Sequence, residues 1–224
     1  MKKRLLPLLV LAIFLLISCT GKVKEASSTE SINFNSDTTI SVKDKTFDEL
    51  FKKIEPTDLT QNVFKLIGQD YTVITAGTDS LYNSMTASYG GWGQLFEQPV
   101  TWCFLNASRY TLEFIKEEQT YTMSYFPDRY KEQVLFFGSK SGRKSEKMKE
   151  NELTFVKTPS GNITYKEAKL IIECKLTAIT ETNPKDFYSE KGKAFVEKGI
   201  KDGNGKEYHK LVFGEITNVW INKK

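Results

Sequence analysis

The sequence lacks the residues and motifs that mark several common enzyme classes. It has three cysteines and one histidine among 224 residues, and no C-x-x-C pair, which excludes a disulfide-dense scaffold and disfavours the usual zinc sites. It also has no G-x-G-x-x-G dinucleotide fingerprint, no G-x-x-x-x-G-K-[ST] phosphate loop and no G-x-S-x-G nucleophile motif. Because His209 is the only histidine, Ser–His or Cys–His catalysis would have to pass through it. Hydrolytic chemistry therefore has little support.

The chain also lacks a strong excess of one charge. Its 32 Lys and Arg against 28 Asp and Glu give a formal charge of +4, and Lys2, Lys3 and Arg4 at the very start account for most of that excess. A nucleic-acid-binding protein would show a clustered basic face, so we expect no nucleic-acid partner. The 39% of hydrophobic and 12% of aromatic residues suffice for a buried core.

A hydrophobic run long enough to cross a membrane is missing as well. The apolar stretch 5–17 follows three positive residues and is shorter than the ~20 residues that a membrane-spanning helix needs. It is typical of a secretory signal peptide. The ending Leu16-Ile17-Ser18-Cys19 resembles a bacterial lipobox. That resemblance implies a signal peptide over 1–18, cleavage before Cys19 and lipid attachment to Cys19, with an uncleaved anchor as the alternative.

Lipid attachment would fix where the protein acts. Several acyl chains hold a protein stably on a bilayer, so we expect a lipid-anchored protein of the cell envelope that faces outside the cytoplasm. Residues 19–45 are rich in Ser, Thr, Lys and Asp and cannot bury enough surface to offset their ordering entropy. We interpret 19–45 as the lipidated cysteine with a flexible tether, and 46–224 as the folded domain.

The pattern of the domain favours a mainly β structure. About seven runs of alternating or β-branched residues follow one another without a regular crossover helix, which favours an antiparallel β-barrel with short decorating helices. Thr46 and Glu49 have the spacing of a capping box, and the apolar residues after Thr46 share one face. They predict a short amphipathic helix over 47–54. A second, charged helical insertion is expected over 184–205.

Three polar segments interrupt the strand-like pattern, at 83–88, 106–111 and 137–143. Hydroxyl groups and free backbone N–H groups at such junctions suit an anion. Arg109 and Arg143, two of the few arginines, lie in these segments, and the arginine fork matches phosphate or carboxylate. The alternative is ordinary turns with surface charges, and the residues alone leave both interpretations open.

In their order and spacing these segments resemble the flavin reductase-like family, the FMN-binding split barrels. The resemblance runs from about Phe64 to Gly214, and the segments that carry it are Lys65-Leu-Ile-Gly-Gln-Asp-Tyr71, Thr75-Ala-Gly77, Asn83–Ser88, Ser108-Arg-Tyr-Thr111, Phe136-Phe-Gly-Ser-Lys-Ser-Gly-Arg143, Ile172-Glu-Cys174 and His209 before Gly214. It implies a six-stranded antiparallel split β-barrel, a homodimer, and FMN bound near the subunit interface. The function implied is an FMN-dependent oxidoreductase that passes hydride or electrons through the flavin.

The same resemblance implies site residues. His209 would lie on the nicotinamide side of the flavin as the catalytic residue, and Trp92 would stack on or cover the ring. The polar residues expected to contact the flavin or its phosphate are Asn83, Thr86, Ser88, Asn106, Ser108, Arg109, Thr111, Ser139, Ser141 and Arg143.

Two departures from the family pattern concern the electron donor. Glu207-Tyr208 replaces Gly-Asp before His209, and the insertion 184–205 lies just upstream. Both bear on nicotinamide docking more than on flavin binding. The donor, NAD(P)H or a redox protein, therefore stays open, as does a non-enzymatic role in flavin binding or envelope interaction. Cys103 and Cys174 lie in apolar strands, either as buried thiols or as a disulfide.

Overall fold

A computed structural model describes residues 45–202 and 208–224 of the chain. The predicted signal peptide, the predicted lipidation site Cys19 and all but the last residue of the predicted tether lie outside the described residues. The predicted helical insertion lies inside them up to residue 202, where a short turn at Pro184–Asp186 precedes a helix at Glu190–Asp202, as expected.

The described residues form ten strands and six α-helical segments. The strands are β1 (Phe51–Ile54), β2 (Thr72–Gly77), β3 (Tyr82–Ala87), β4 (Gly90–Leu95), β5 (Gln98–Leu105), β6 (Thr120–Tyr125), β7 (Phe155–Lys157), β8 (Ile163–Tyr165), β9 (Leu170–Glu181) and β10 (Lys210–Asn222). The helices are α1 (Phe47–Leu50), α2 (Val63–Lys65), α3 (Thr111–Glu118), α4 (Lys131–Ser139), α5 (Lys147–Glu150) and α6 (Glu190–Asp202). A π-helical turn (Leu66–Asp70) follows α2, and 3-10 turns lie at Pro56–Asp58 and Asp128–Tyr130.

Eight of these strands form one antiparallel sheet. Its order is β3-β2-β6-β9-β10-β5-β4, with β1 paired to the far end of β10, while β7 and β8 form a separate hairpin. The two edge strands β3 and β4 are joined by only Ser88 and Tyr89, so the sheet must curve until its edges approach each other. The predicted class, an antiparallel split barrel, is confirmed, although the sheet has eight strands where six were expected.

One added strand comes from the segment predicted as a helix over 47–54, and that prediction was wrong in its second half. Helix α1 ends at Leu50, and Phe51–Ile54 pair with β10. The capping interaction is present, because the Glu49 carboxylate accepts the Thr46 N–H at 2.7 Å. A helix of only two turns has little stability of its own. Pairing with the end of β10 instead gives Phe51–Ile54 backbone hydrogen bonds to a neighbouring strand.

The sheet is buried on both faces where its central strands cross. Ile74 and Ile172 pack into an inner cluster with Met123, whereas their neighbours Val73 and Ile171 pack into a second cluster on the other face. Helix α4 covers this second face. Strands buried on both sides have nearly continuous apolar runs instead of a strict alternation, which is the pattern seen in β2 and β9.

The β7–β8 hairpin is fastened to the sheet through a buried carboxylate. Glu173 on β9 is 1% exposed. Its two oxygens accept hydrogen bonds from Thr158 (2.5 Å) and Asn162 (2.7 Å) in the hairpin turn, from Ser160, and from Asn218 on β10 (2.6 Å). Four donors therefore satisfy a group that would be costly to bury alone.

The two described cysteines are buried free thiols. Cys103 and Cys174 are both in the inner cluster and both fully buried, so of the two alternatives the structure has the thiols and not the disulfide. Burial raises the pKa of the Cys174 thiol to about 12. Both groups are therefore neutral, weakly reactive parts of the core.

Candidate functional site

Two cavities lie along strand β3 and the turn that follows it. A small polar cavity of about 90 Å³ lies at the start of the strand, against the N-terminus of α3 and the loop after α4. A larger groove of about 780 Å³ lies beyond the end of the strand, between β4, β5 and the segment that leads into α6. Asn83 lines the first and Ser88 lines the second.

The polar cavity has a fixed hydrogen-bonded wall. The buried amide of Asn83 donates to the Thr111 hydroxyl at 2.7 Å, and both side chains are at most 3% exposed. The loop 140–143 closes over this pair, and a Cβ at position 142 would overlap the Asn83 Oδ1 atom. Only glycine permits this approach, so Gly142 sets how tightly the loop packs on the cavity.

The cavity is lined by three cations and by no acidic residue among those described. The cations are Arg109, Lys140 and Lys147. Lys147 is 3% exposed, and its ammonium donates to the carbonyl oxygens of Phe137 (3.0 Å) and Lys140 (3.1 Å). Burial, with a smaller effect of the Arg109 charge, lowers the pKa of Lys147 to about 8. The electrostatics favour an anion here.

The groove is aromatic and mostly apolar. Trp92 on β4 and Trp102 and Phe104 on β5 line one part of it, and Phe187 and Phe195 from the 184–202 segment line another. These rings are held by further aromatic contacts, because Trp92 meets Tyr125 edge-on at 6.0 Å between centroids and Phe195 meets Tyr89 at 4.9 Å. Such a groove suits a flat, largely apolar ring.

The structure brings seven of the predicted site residues to these two cavities. Those at the polar cavity are Asn83, Ser108, Arg109, Thr111 and Ser141, and those at the groove are Ser88 and Trp92. Segments far apart in the sequence therefore converge at these cavities, and the contact of these residues with a flavin stays a prediction.

Three predicted residues instead serve neighbouring structure. The Thr86 hydroxyl donates to the Val134 carbonyl of α4, and the Ser139 hydroxyl donates to the Phe136 carbonyl at 2.8 Å. Arg143 lies over the Tyr110 ring at 4.5 Å and pairs with Glu113 on α3.

Asn106 connects the polar cavity with α6. Its Oδ1 accepts from the Ser108 N–H (3.0 Å) and hydroxyl (2.7 Å), while its Nδ2 donates to the Gly199 carbonyl at 3.0 Å. Ser108 lines the cavity, so the side chain of Asn106 positions a cavity residue and a turn of α6 together. Its place in the structure is that of a positioning residue.

His209 lies under helix α6 and is not among the described residues that line either cavity. Its ring stacks on Phe195 with a centroid distance of 5.2 Å and an interplanar angle of 30°, and a Cβ at position 199 would overlap it. Phe195 therefore lies between His209 and the groove. The catalytic role implied for His209 stays a prediction.

Sequence reasoning did not single out Lys147, Gly142, or the groove aromatics Phe187 and Phe195 as site residues. Nothing in the sequence distinguishes Lys147 from the many other lysines, because lysines are rarely buried. One weak sequence signal pointed to the groove. The run from Val100 to Leu105 is apolar at every position except Thr101, so both faces of this strand, and not only the face in the core, must be covered by other residues.

Comparison with known proteins assigns the family. Residues 64–224 match the model of the flavin reductase like domain, which is well over half of the chain, and the chain therefore belongs to that family. No curated protein matches it.

Solved structures of distant sequences share the fold. An FMN-binding protein from Thermus thermophilus, solved with bound p-hydroxybenzaldehyde, has a TM-score of 0.54 at 15% identity, covering 77% of this chain and 82% of that chain. Flavoredoxin from Methanosarcina acetivorans has 0.53 at 18% identity, covering 77% and 76%. Flavoredoxin of Desulfovibrio vulgaris (Miyazaki F) has 0.51 at 21% identity, covering 68% and 69%.

Across 45–202 and 208–224, none of the helices has both the length and the apolar character that crossing a membrane requires. Over the same residues, no three His, Cys, Asp or Glu side chains are grouped so that they could hold a metal ion.

Proposed function

We propose that this protein binds FMN and acts as a flavin-dependent oxidoreductase of the flavin reductase-like type, passing hydride or electrons through the flavin. The observation that carries the proposal is the pairing of a cationic polar cavity with an aromatic groove along β3. Met85 lines the polar cavity and Ser88, three residues later, lines the groove, which is about 10 Å along the chain. A molecule with a phosphate at one end and a flat ring at the other matches this arrangement.

The residues of the polar cavity fit a phosphate. Lys147 is a buried cation whose pKa is lowered by burial and, to a smaller extent, by the nearby Arg109 charge, and a bound anion would favour its charged form. Arg109 adds a second cation, and the hydroxyls of Ser108 and Ser141 line the same space. The solved proteins with this fold that are named FMN-binding protein and flavoredoxin support the same ligand.

The groove residues would hold the ring. Flavin supplies the hydride transfer and electron storage when it is bound. Trp92 and Ser88 would contact the ring, and the aromatic wall formed by Trp102, Phe104 and Phe195 would exclude water from one side of it. The protein's own contribution is then binding, orientation and exclusion of solvent.

The test is a flavin titration of the purified full chain. We expect FMN absorbance to copurify, or added FMN to bind at micromolar concentration with quenched flavin fluorescence. Ser108→Ala should weaken FMN binding, whereas Ser80→Ala, at an exposed serine of the β2–β3 turn that lines neither cavity, should leave it unchanged. A full chain that neither carries nor binds FMN contradicts the proposal.

The electron donor is a separate question within this proposal. His209 would face a nicotinamide if the donor were NAD(P)H, yet Phe195 covers its ring. This contact favours a second candidate, a non-enzymatic flavin-binding or envelope interaction protein. Stopped-flow mixing of the FMN-loaded chain with NADH, NADPH or a reduced redox protein distinguishes the two. Reduction of the flavin by any of these supports the enzyme, and binding without turnover supports the carrier.

We also propose lipid anchoring at Cys19 and a position at the cell envelope, outside the cytoplasm. The support is the positive n-region, the short apolar run and the ending Ile17-Ser18-Cys19. Membrane fractionation and mass spectrometry of the N-terminal peptide test it. Cys19→Ser should move the protein from the membrane fraction to the soluble one, and a wild-type peptide without lipid contradicts it.

A homodimer completes the proposal. Several aromatic side chains are exposed at or near the groove, among them Phe64 (84%) and Tyr188 (98%), and contact with a second copy would cover them. Light scattering on the eluting protein measures the mass directly. A monomer at micromolar concentration, with and without FMN, contradicts the dimer.

A further inference from the structure

The cationic cavity contains a charge that its own chain does not neutralise. Lys147 begins helix α5, and its Nζ donates to two carbonyl oxygens, those of Phe137 and Lys140. An ammonium group has three N–H donors, so one donor remains for a group in the cavity that Lys147 lines.

The carboxylates of the surrounding elements are paired elsewhere. Glu113 on α3 pairs with Arg143, and Glu150 on α5 pairs with Lys140. Glu146, next to Lys147, pairs with Lys149 at 2.8 Å. Strand β3, which packs on α5, presents no charged residue, and the other charged groups at the cavity are the cations Arg109 and Lys140.

The three cations differ in how strongly they can act on a bound anion. Arg109 is exposed, so solvent and salt screen its charge. Lys140 is also exposed and is shared with Glu150. Lys147 is 3% exposed, and an interaction with a buried cation is screened far less.

We propose that Lys147 is the residue that makes the cavity select a phosphorylated flavin over the same flavin without its phosphate. The inference rests on the proposed function, because it takes the ligand to be FMN. The phosphate dianion would accept the third N–H of Lys147 and supply the missing negative charge. Such a charge-assisted hydrogen bond is stronger than a neutral one.

A proton must accompany the phosphate above neutral pH. Burial lowers the pKa of Lys147 to about 8 in the free protein, so at pH 9 most molecules have lost this proton. Binding of the dianion favours the ammonium form, and one proton passes from the buffer to Lys147 Nζ. The second pKa of a phosphate monoester is about 6, so the ligand itself does not titrate in this range.

The experiment compares FMN with riboflavin on the full chain. We measure both dissociation constants at pH 7 for the wild type, Lys147→Met and Lys149→Met. Lys149 is the matched control, because it is an exposed lysine on the same helix. We expect Lys147→Met to weaken FMN binding by about 10- to 100-fold and riboflavin binding by less than threefold, with Lys149→Met changing neither.

The outcomes separate the inference from the proposed function. If the wild type binds neither flavin, the proposed function is wrong. If the wild type binds FMN but Lys147→Met loses both flavins equally, or loses neither, the inference about Lys147 is wrong while the function stands.

A second measurement does not depend on any variant folding. Calorimetry of FMN binding to the wild type at pH 9, in buffers of different ionisation enthalpy, should give an uptake approaching one proton, and the FMN affinity should fall as the pH rises above about 8. Riboflavin should give no uptake. Equal uptake for both flavins, or none for FMN, overturns the inference.

Discussion

Substitution of Gly142 by alanine tests the geometry of the polar cavity directly. The new methyl group would overlap the Asn83 Oδ1 atom, and Asn83 is held by its 2.7 Å hydrogen bond to Thr111. The overlap can be relieved in two ways. If Asn83 moves, a buried hydrogen bond is lost, which costs about 1–3 kcal/mol of unfolding free energy. If the loop moves, Ser141 leaves the cavity and the cost falls on ligand affinity.

Both costs are measurable on the same preparation. Urea unfolding gives the stability change and FMN titration gives the affinity change, and we expect the two together to reach at least about 1 kcal/mol. Lys144→Ala is the control, because this exposed residue of the same loop should change either quantity by less than about 0.5 kcal/mol. A Gly142→Ala protein with wild-type stability and wild-type FMN affinity would refute the described packing of the loop on Asn83.

Three further predictions concern charge and packing around the site. Because folding lowers the pKa of Lys147 to about 8, the unfolded chain holds this proton more tightly. The unfolding free energy of the wild type should therefore rise by about 2 kcal/mol between pH 8 and 10.5, after allowance for screening, relative to that of Lys147→Met. Urea unfolding at a series of pH values measures both proteins, and parallel curves of unfolding free energy against pH would contradict the prediction. Glu173→Gln should lower the unfolding free energy by about 3 kcal/mol, since an amide NH₂ replaces an acceptor among four donors; a loss under 1 kcal/mol contradicts that network. Gly199→Ala should speed amide hydrogen exchange in α6 by displacing it from His209, and unchanged exchange contradicts the contact.

Much of the fold could be predicted from the sequence because strand patterning is local. The alternation in β10, the apolar run in β9 and the polar turns between strands are visible without knowledge of the partners. The second half of the 47–54 segment could not be assigned in this way, because Phe51 and Ile54 satisfy a helical spacing and a strand pairing equally well. The β10 edge that decides between them lies more than 160 residues later in the chain.

The site could be predicted in part, and for a different reason. Asn83, Ser108 and Thr111, which line the polar cavity, were predicted through a resemblance of short segments, and their contact with a ligand stays a prediction. The same resemblance included Thr86 and Ser139, whose hydroxyls instead bond to backbone carbonyls of α4. A motif records which residue types recur, and it does not distinguish a residue that contacts a ligand from one that supports the contact.

The insertion that departs from the family pattern is part of the site and not a surface addition. Phe187 and Phe195 line the groove, Phe195 covers the ring of His209, and the Gly199 carbonyl is held by Asn106, which also positions Ser108 at the polar cavity. A change in the position of α6 would therefore alter the aromatic wall, the exposure of the histidine and the support of a cavity residue together. In the proposed function, chemistry on the donor side of the flavin would therefore depend on α6, whereas phosphate recognition would depend on the loop around Gly142 and on Lys147.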